Sequence, residues 1–271
     1  MLIKLLLAGT LCLIWFLVIH TVKMFRMYLL LLESRIEFRR FIFAYCRTTL
    51  INLAIPFKLG EIYRMAVFSR ITKSAPVGIA SVVVDRFFDT LALVLILLPL
   101  SALSPSGISA VSVFLMVFVA VVIFVYIMFP SAYGYLNKYI IINRTSARSM
   151  TVLRWLEILN SGYEYVKRLV TGRYALLTLM SFGAWVLEGG LLFLISRLLG
   201  LGFGMSEFSD YITSIMSAAH SELQQKYTIF SIALMLLLSV ITGIMNYSAY
   251  KHRRATGFAG DGSVGSGGVT G

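Results

Sequence analysis

Lys58, Glu61 and Arg64 stand three residues apart, and Asp85, Arg86 and Asp89 stand at the head of a long apolar run, in a chain that is otherwise mostly hydrocarbon. Ionisable groups at membrane depth cost several kcal/mol unless they pair or reach water, so these six are the first candidates for chemistry. On a helix Lys58, Glu61 and Arg64 share one face and form a ladder of ion pairs. Asp85 and Asp89, four apart, share a face as well, and Arg86 is within reach of Asp89. Two roles follow from the same residues. The two groups neutralise one another across a bundle and staple it. Alternatively Lys58, Arg64 and Arg86, with Arg70 nearby, offer cations to a lipid phosphate, work for which the planar arginine fork is suited. Glu61, Asp85 and Asp89 then keep a cationic site affordable near hydrocarbon. Protonation of one of these acids would also couple transport to a proton gradient.

The segment that carries the first group is the wrong shape for a spanning helix. Asn52, Pro56 and Gly60 interrupt its apolar run after about eight residues, far short of the ~20 needed to cross a bilayer, which predicts a broken or re-entrant helix over residues 50–64. Around it the hydropathy pattern predicts five spans: Leu2–Val22, Pro76–Leu100, Val111–Phe129, Tyr174–Ile195 and Ile229–Tyr250. Residues 24–47, with Lys23 and Arg26 at their head, mix bases with apolar residues and read as an interfacial helix. The basic stretch from Lys138 to Arg173 repeats apolar residues at Val152, Trp155, Leu156, Leu159, Tyr163 and Val166, at helical spacing, as in a helix lying on the membrane surface. All basic clusters fall on one side if the N-terminus is outside and the C-terminus inside, as the positive-inside rule requires. Glu188 within the fourth span needs water or a cation such as Arg197. Gly189 and Gly190 beside it read as close-packing positions.

The pattern INLAIPFKLGEIYRMAVFSR followed by GIASVVVDRFFDTLAL resembles the membrane region of the lysylphosphatidylglycerol synthase and flippase-like family. The resemblance rests on an N-x-x-x-P-x-x-x-G-E-x-x-R block, here Asn52, Pro56, Gly60, Glu61 and Arg64, and on the D-R-x-x-D block of Asp85, Arg86 and Asp89. It implies a polytopic membrane protein concerned with lipid translocation or with support of lipid-linked chemistry. Where that family has a second, proline- and glycine-rich block, this chain reads MSAAHSELQQKYTIF, with Glu222 as the one remnant, so the second half is expected to be degenerate or cut short.

Composition excludes the other classes. With 59% hydrophobic and 13% charged residues and a mean hydropathy of +0.86, the chain falls in the membrane class. Residues 1–254 form one all-α transmembrane domain by this reading, and the glycine-rich residues 255–271 a disordered tail. The net charge of +12 comes from bases beside apolar spans, which points to anionic head groups and away from nucleic acid. Cys12 and Cys46 read as packing residues. No nucleotide or metal spacing is present and no histidine or nucleophile lies near the charged groups, so neither cofactor nor catalysis is expected. The expectation is a multi-pass protein of the cell membrane that moves an anionic phospholipid or polyprenyl-phosphate lipid. The alternative is a non-catalytic partner of a lipid-linked glycosyltransferase, and a lipid-modifying enzyme comes third.

Overall fold

The computed structural model describes residues 2–55, 59–103, 110–143, 147–204, 207–208, 211–212 and 222–260. Among them eight α-helices and no strand occur: α1 Leu2–Leu31, α2 Phe38–Ala54, α3 Leu59–Ile71, α4 Ala75–Leu103, α5 Ala110–Asn143, α6 Ala147–Val170, α7 Tyr174–Leu198 and α8 Glu222–Gly260. The protein is an all-α polytopic bundle, as only helices or closed barrels satisfy every backbone group within lipid. Among the described residues four helices are long and apolar enough to cross a membrane, within Leu6–Ser34, Ala110–Ile142, Tyr174–Leu198 and Glu222–Ser248. These correspond to four of the five expected spans. The fifth, α4, has 29 residues but holds Asp85, Arg86 and Asp89 within it.

Helix ends differ from the hydropathy reading in an informative way. α1 does not stop at Val22 but continues through Lys23 and Arg26 to Leu31, so residues 24–47 are not one interfacial helix. A 3-10 turn over Leu32–Ser34 and a left-handed Arg35 divide α1 from α2. Two contacts hold the far end of α1. The Tyr165 hydroxyl of α6 donates to the Leu30 carbonyl at 2.5 Å, and Arg173 donates to the Leu29 carbonyl at 3.2 Å, which satisfies last-turn acceptors that a helix leaves open. Burial pushes the Tyr165 phenol up, so it remains a donor. α5 likewise runs past Phe129 and through Pro130 to Asn143. α8 continues to Gly260, six residues into the tail expected to be unstructured, and residues 261–271 lie outside the described ones.

The broken helix is present as expected. α2 ends at Ala54 and α3 starts at Leu59, with Pro56, Phe57 and Lys58 outside the described residues. Two glycines let α3 lie tight between α2 and α4. A Cβ on Gly60 would sit 2.4 Å from the Asn52 Cα, and one on Gly78 would sit 2.3 Å from the Ser69 nitrogen, so neither position has room for a side chain. Gly190 of α7 likewise accepts the Trp15 ring of α1, whose indole N–H donates to the Leu187 carbonyl at 2.8 Å. The packing role expected of that glycine pair holds for Gly190. The core lies between α1, α4 and α7, where Phe16, Ile19, Met27, Ala92, Leu177 and Leu191 are fully buried. α5 instead keeps Phe114, Val117, Val121, Phe124 and Ile127 outward, an apolar face suited to lipid.

Candidate functional site

The two charged groups of the sequence meet where α3 packs on α4, and α1 supplies a third partner that sequence reasoning assigned elsewhere. Arg26 is 99% buried by side-chain area and reaches across to α4. Its Nε donates to Asp85 Oδ1 and one terminal nitrogen donates to Asp89 Oδ1, both at 2.8 Å, and that same nitrogen donates to the Ser181 hydroxyl of α7 at 2.7 Å. The four-residue spacing of Asp85 and Asp89 therefore presents both carboxylates to a single guanidinium. Arg86 takes the other oxygens, Asp85 Oδ2 at 2.9 Å and Asp89 Oδ2 at 3.3 Å. Each aspartate is thus held between two arginines. Trp185 of α7 adds an indole donor to the Asp89 carbonyl at 3.2 Å.

α3 closes the network from the other side. Arg64 lies 3.3 Å from Asp85 Oδ2 and 3.9 Å from Glu61 Oε2, so it leans on the aspartate of α4 more than on the neighbour expected from the helical ladder. Its guanidinium also stands 5.9 Å from the Tyr45 and Phe68 rings, a separation at which the ring faces attract a cation. Glu61 Oε1 accepts from the Asn52 side chain at 3.0 Å and lies 3.5 Å from Arg86 Nε. The break between α2 and α3, the bare Gly60 and the carboxylate of Glu61 thereby form one device: the glycine lets α3 approach Asn52, and Asn52 holds Glu61 toward α4.

Arg26, Arg64 and Arg86 set three positive charges against Glu61, Asp85 and Asp89, a formally neutral group. The structure brings together five of the seven residues singled out in the sequence: Glu61, Arg64, Asp85, Arg86 and Asp89. Arg70 does not join them; it is exposed in the last turn of α3 and makes no ion pair with the network among the described residues. Lys58 lies outside the described residues. Arg26 was missed because it stands near the end of the apolar run and is followed by more bases, although MYLLLL after it continues the helix and was the available signal. Asn52 and Trp185 were not seen as partners at all.

A second buried ion pair joins α1 to α7. Glu188 pairs with Lys23, not with the Arg197 expected; Arg197 is exposed and lies 5.2 Å from the Phe193 ring. The hydroxyls of Tyr211 and Tyr227 donate to the other Glu188 oxygen at 2.8 and 3.4 Å. Beside this pair an apolar cavity of about 380 Å³ is lined by Ile96, Trp185, Val186, Gly189, Phe203 and Phe208. A Cβ on Gly189 would meet the Phe208 ring at 3.6 Å, an ordinary contact, whereas Gly190 has no such room. No group of three or more metal-binding side chains occurs among the described residues.

No curated protein and no solved structure matches the chain. The model of one family, the lysylphosphatidylglycerol synthase TM region, matches residues 2–221. That stretch contains α1 to α7 and both blocks of the charged network, and it links the protein to membrane-lipid function. The chain belongs to the family of the lysylphosphatidylglycerol synthase transmembrane region.

Proposed function

We propose that this protein is a flippase-like transporter of the cell membrane, not an enzyme, and that it handles an anionic phospholipid or a polyprenyl-phosphate lipid. One observation carries the reading. A buried, formally neutral network of three arginines and three carboxylates ties α1, α3, α4 and α7 together at a broken helix. Broken helices at depth are a recurring way for transporters to expose polar groups to a substrate. Arg86 is the member open to an approaching head group, with 38% of its side chain exposed. The apolar cavity beside Trp185 offers room for part of an acyl chain, and Trp185 connects it to the network through Asp89.

A second reading is a non-catalytic membrane partner of a lipid-linked glycosyltransferase. It is favoured by the same neutrality, since charges that already pair with each other serve as a staple without any ligand. Reconstitution in liposomes with a labelled phospholipid or polyprenyl phosphate separates the two. Transbilayer movement by the native chain that Glu61→Ala and Arg86→Ala both lose supports transport. Activity seen only with an added transferase supports the partner role, and product formed by the chain alone returns the enzyme. Movement retained in both variants removes the site assignment.

A further inference from the structure

α5 is longer than the membrane it crosses. Its apolar stretch, Ala110–Ile142, has 33 residues. At ~1.5 Å per residue that is about 50 Å of helix. A hydrocarbon core of about 30 Å takes up about 39 Å of it even at a tilt of ~40°, the upper end for membrane helices. Roughly two turns or more must therefore leave the hydrocarbon while staying apolar. The side chains say which end leaves. Val121, Phe124 and Met128 form an outward stripe, and Tyr135, Tyr139 and Ile142 continue it on the same face at helical spacing. Pro130 stands between the two halves of the stripe, where a missing N–H lets a helix bend. Beyond it the exposed residues include Lys138 and the Tyr135 ring, 71% open, and phenols of this kind belong at head-group level.

α6 returns along this end of α5. The Tyr163 ring lies 5.2 Å from that of Tyr126 and 4.9 Å from that of Phe129, so the part of α6 before Tyr163 accompanies α5 beyond Pro130. On that part Val152, Trp155 and Leu159 form one exposed apolar flank, with Trp155 64% open. Arg154, Glu157 and Ser161 form an exposed polar flank opposite. Apolar and polar flanks side by side are the mark of a helix lying in the plane of the interface. The charge of the segment names the surface. Residues 138–173 carry seven bases, Lys138, Arg144, Arg148, Arg154, Lys167, Arg168 and Arg173, against Glu157 and Glu164, an excess that suits anionic lipid. Sequence reasoning laid only α6 on the surface and ended the span at Phe129. We propose that α5 beyond Pro130 and α6 before Tyr163 form one arm that lies in the head-group layer of an anionic membrane, with Tyr139, Trp155 and Leu159 inserted. This surface lies apart from the charged network, and the proposal does not rest on the transport reading.

The test attaches a fluorescent label to single introduced cysteines, Tyr139→Cys, Leu159→Cys and Glu157→Cys, all at exposed positions, while the native Cys12 and Cys46 are buried. Each labelled chain is reconstituted in vesicles of phosphatidylcholine, with and without phosphatidylglycerol. Quenching is read from the water with acrylamide and from the lipid with nitroxides at head-group or mid-chain depth. Labels at 139 and 159 should be shielded from acrylamide several-fold better than the label at 157 and quenched best by the head-group nitroxide. Their shielding should rise when phosphatidylglycerol is added. Equal access of acrylamide to all three positions overturns the proposal and leaves the arm standing in water. Shielding of 139 and 159 from acrylamide and nitroxides alike also overturns it, and gives the face to a protein partner or a second copy. Strongest quenching from mid-chain depth would make the whole of α5 a span, and shielding that ignores phosphatidylglycerol would leave an apolar anchor indifferent to charge; either result sinks the anionic-surface assignment. If a variant fails to fold, hydrogen exchange of the unlabelled chain decides: residues 150–160 should exchange more slowly in the anionic vesicles, and equal rates count against the arm.

Discussion

Two buried charged groups sit about one turn of α1 apart, at Lys23 and Arg26, and are built differently. The Lys23–Glu188 pair has its carboxylate ringed by an ammonium and two phenols, with both oxygens engaged. The six-residue network around Asp85 is larger, reaches the surface at Arg86, and leaves four polar atoms without a hydrogen bond to the described residues. The first has the character of a staple between α1 and α7. The second has a saturated half, on Asp85 and Asp89, and an open half, on Glu61. Burial of charge alone does not distinguish structure from function, since both groups are buried. Unused hydrogen-bonding capacity is what separates the two groups.

The largest effect should come from the saturated half. Arg26→Leu strands two aspartates in the interior, and breaking a buried ion pair from one side typically costs about 3–5 kcal/mol. Thermal unfolding in detergent should show a protein that barely accumulates, and wild-type stability in this variant would mean that Arg26 is not the centre of the network. Lys23→Met should cost less, about 1–3 kcal/mol, because two phenols still donate to Glu188. Restoring neutrality with Lys23→Met and Glu188→Met together should recover much of that loss, as apolar replacement of a whole buried pair often does. A double variant worse than the sum of its singles would show that the pair does more than staple.

The open half is expected to separate stability from function. Glu61→Gln should cost less stability than Arg26→Leu, about 1–3 kcal/mol, because its charged partners stand at 3.5 and 3.9 Å and are held by the aspartates as well, yet abolish lipid movement. Loss of both together would make Glu61 one more staple. Residues outside the network should matter least. Arg148→Glu should weaken binding of an anionic lipid less than Arg64→Glu, which reverses a buried charge paired with Asp85, and equal effects would indicate diffuse attraction of about 1 kcal/mol per charge and no site. For the orientation, labelling from each side should find Arg168 opposite Ser104; finding both on one side removes the proposed inside–outside assignment.

The sequence by itself determined the class, the helical content, the break before Leu59 and most members of the charged network. Those properties are local: apolar runs must be helices in lipid, asparagine, proline and glycine interrupt them, and charges four apart share a face. The tertiary structure decided which cation meets which carboxylate. Arg26 is 59 residues from Asp85 and Lys23 is 165 from Glu188, and no periodicity within either helix records that α1 threads between α4 and α7. The same holds for helix ends. Hydropathy ends α1 just before Lys23, whereas the helix continues because the carboxylates waiting on α4 and α7 make Lys23 and Arg26 tolerable inside. The roles of Asn52 and Gly60 were likewise decided by packing. Their block was legible as a pattern, but that the glycine exists so that the asparagine can hold Glu61 follows only from the close approach of α3 to α2.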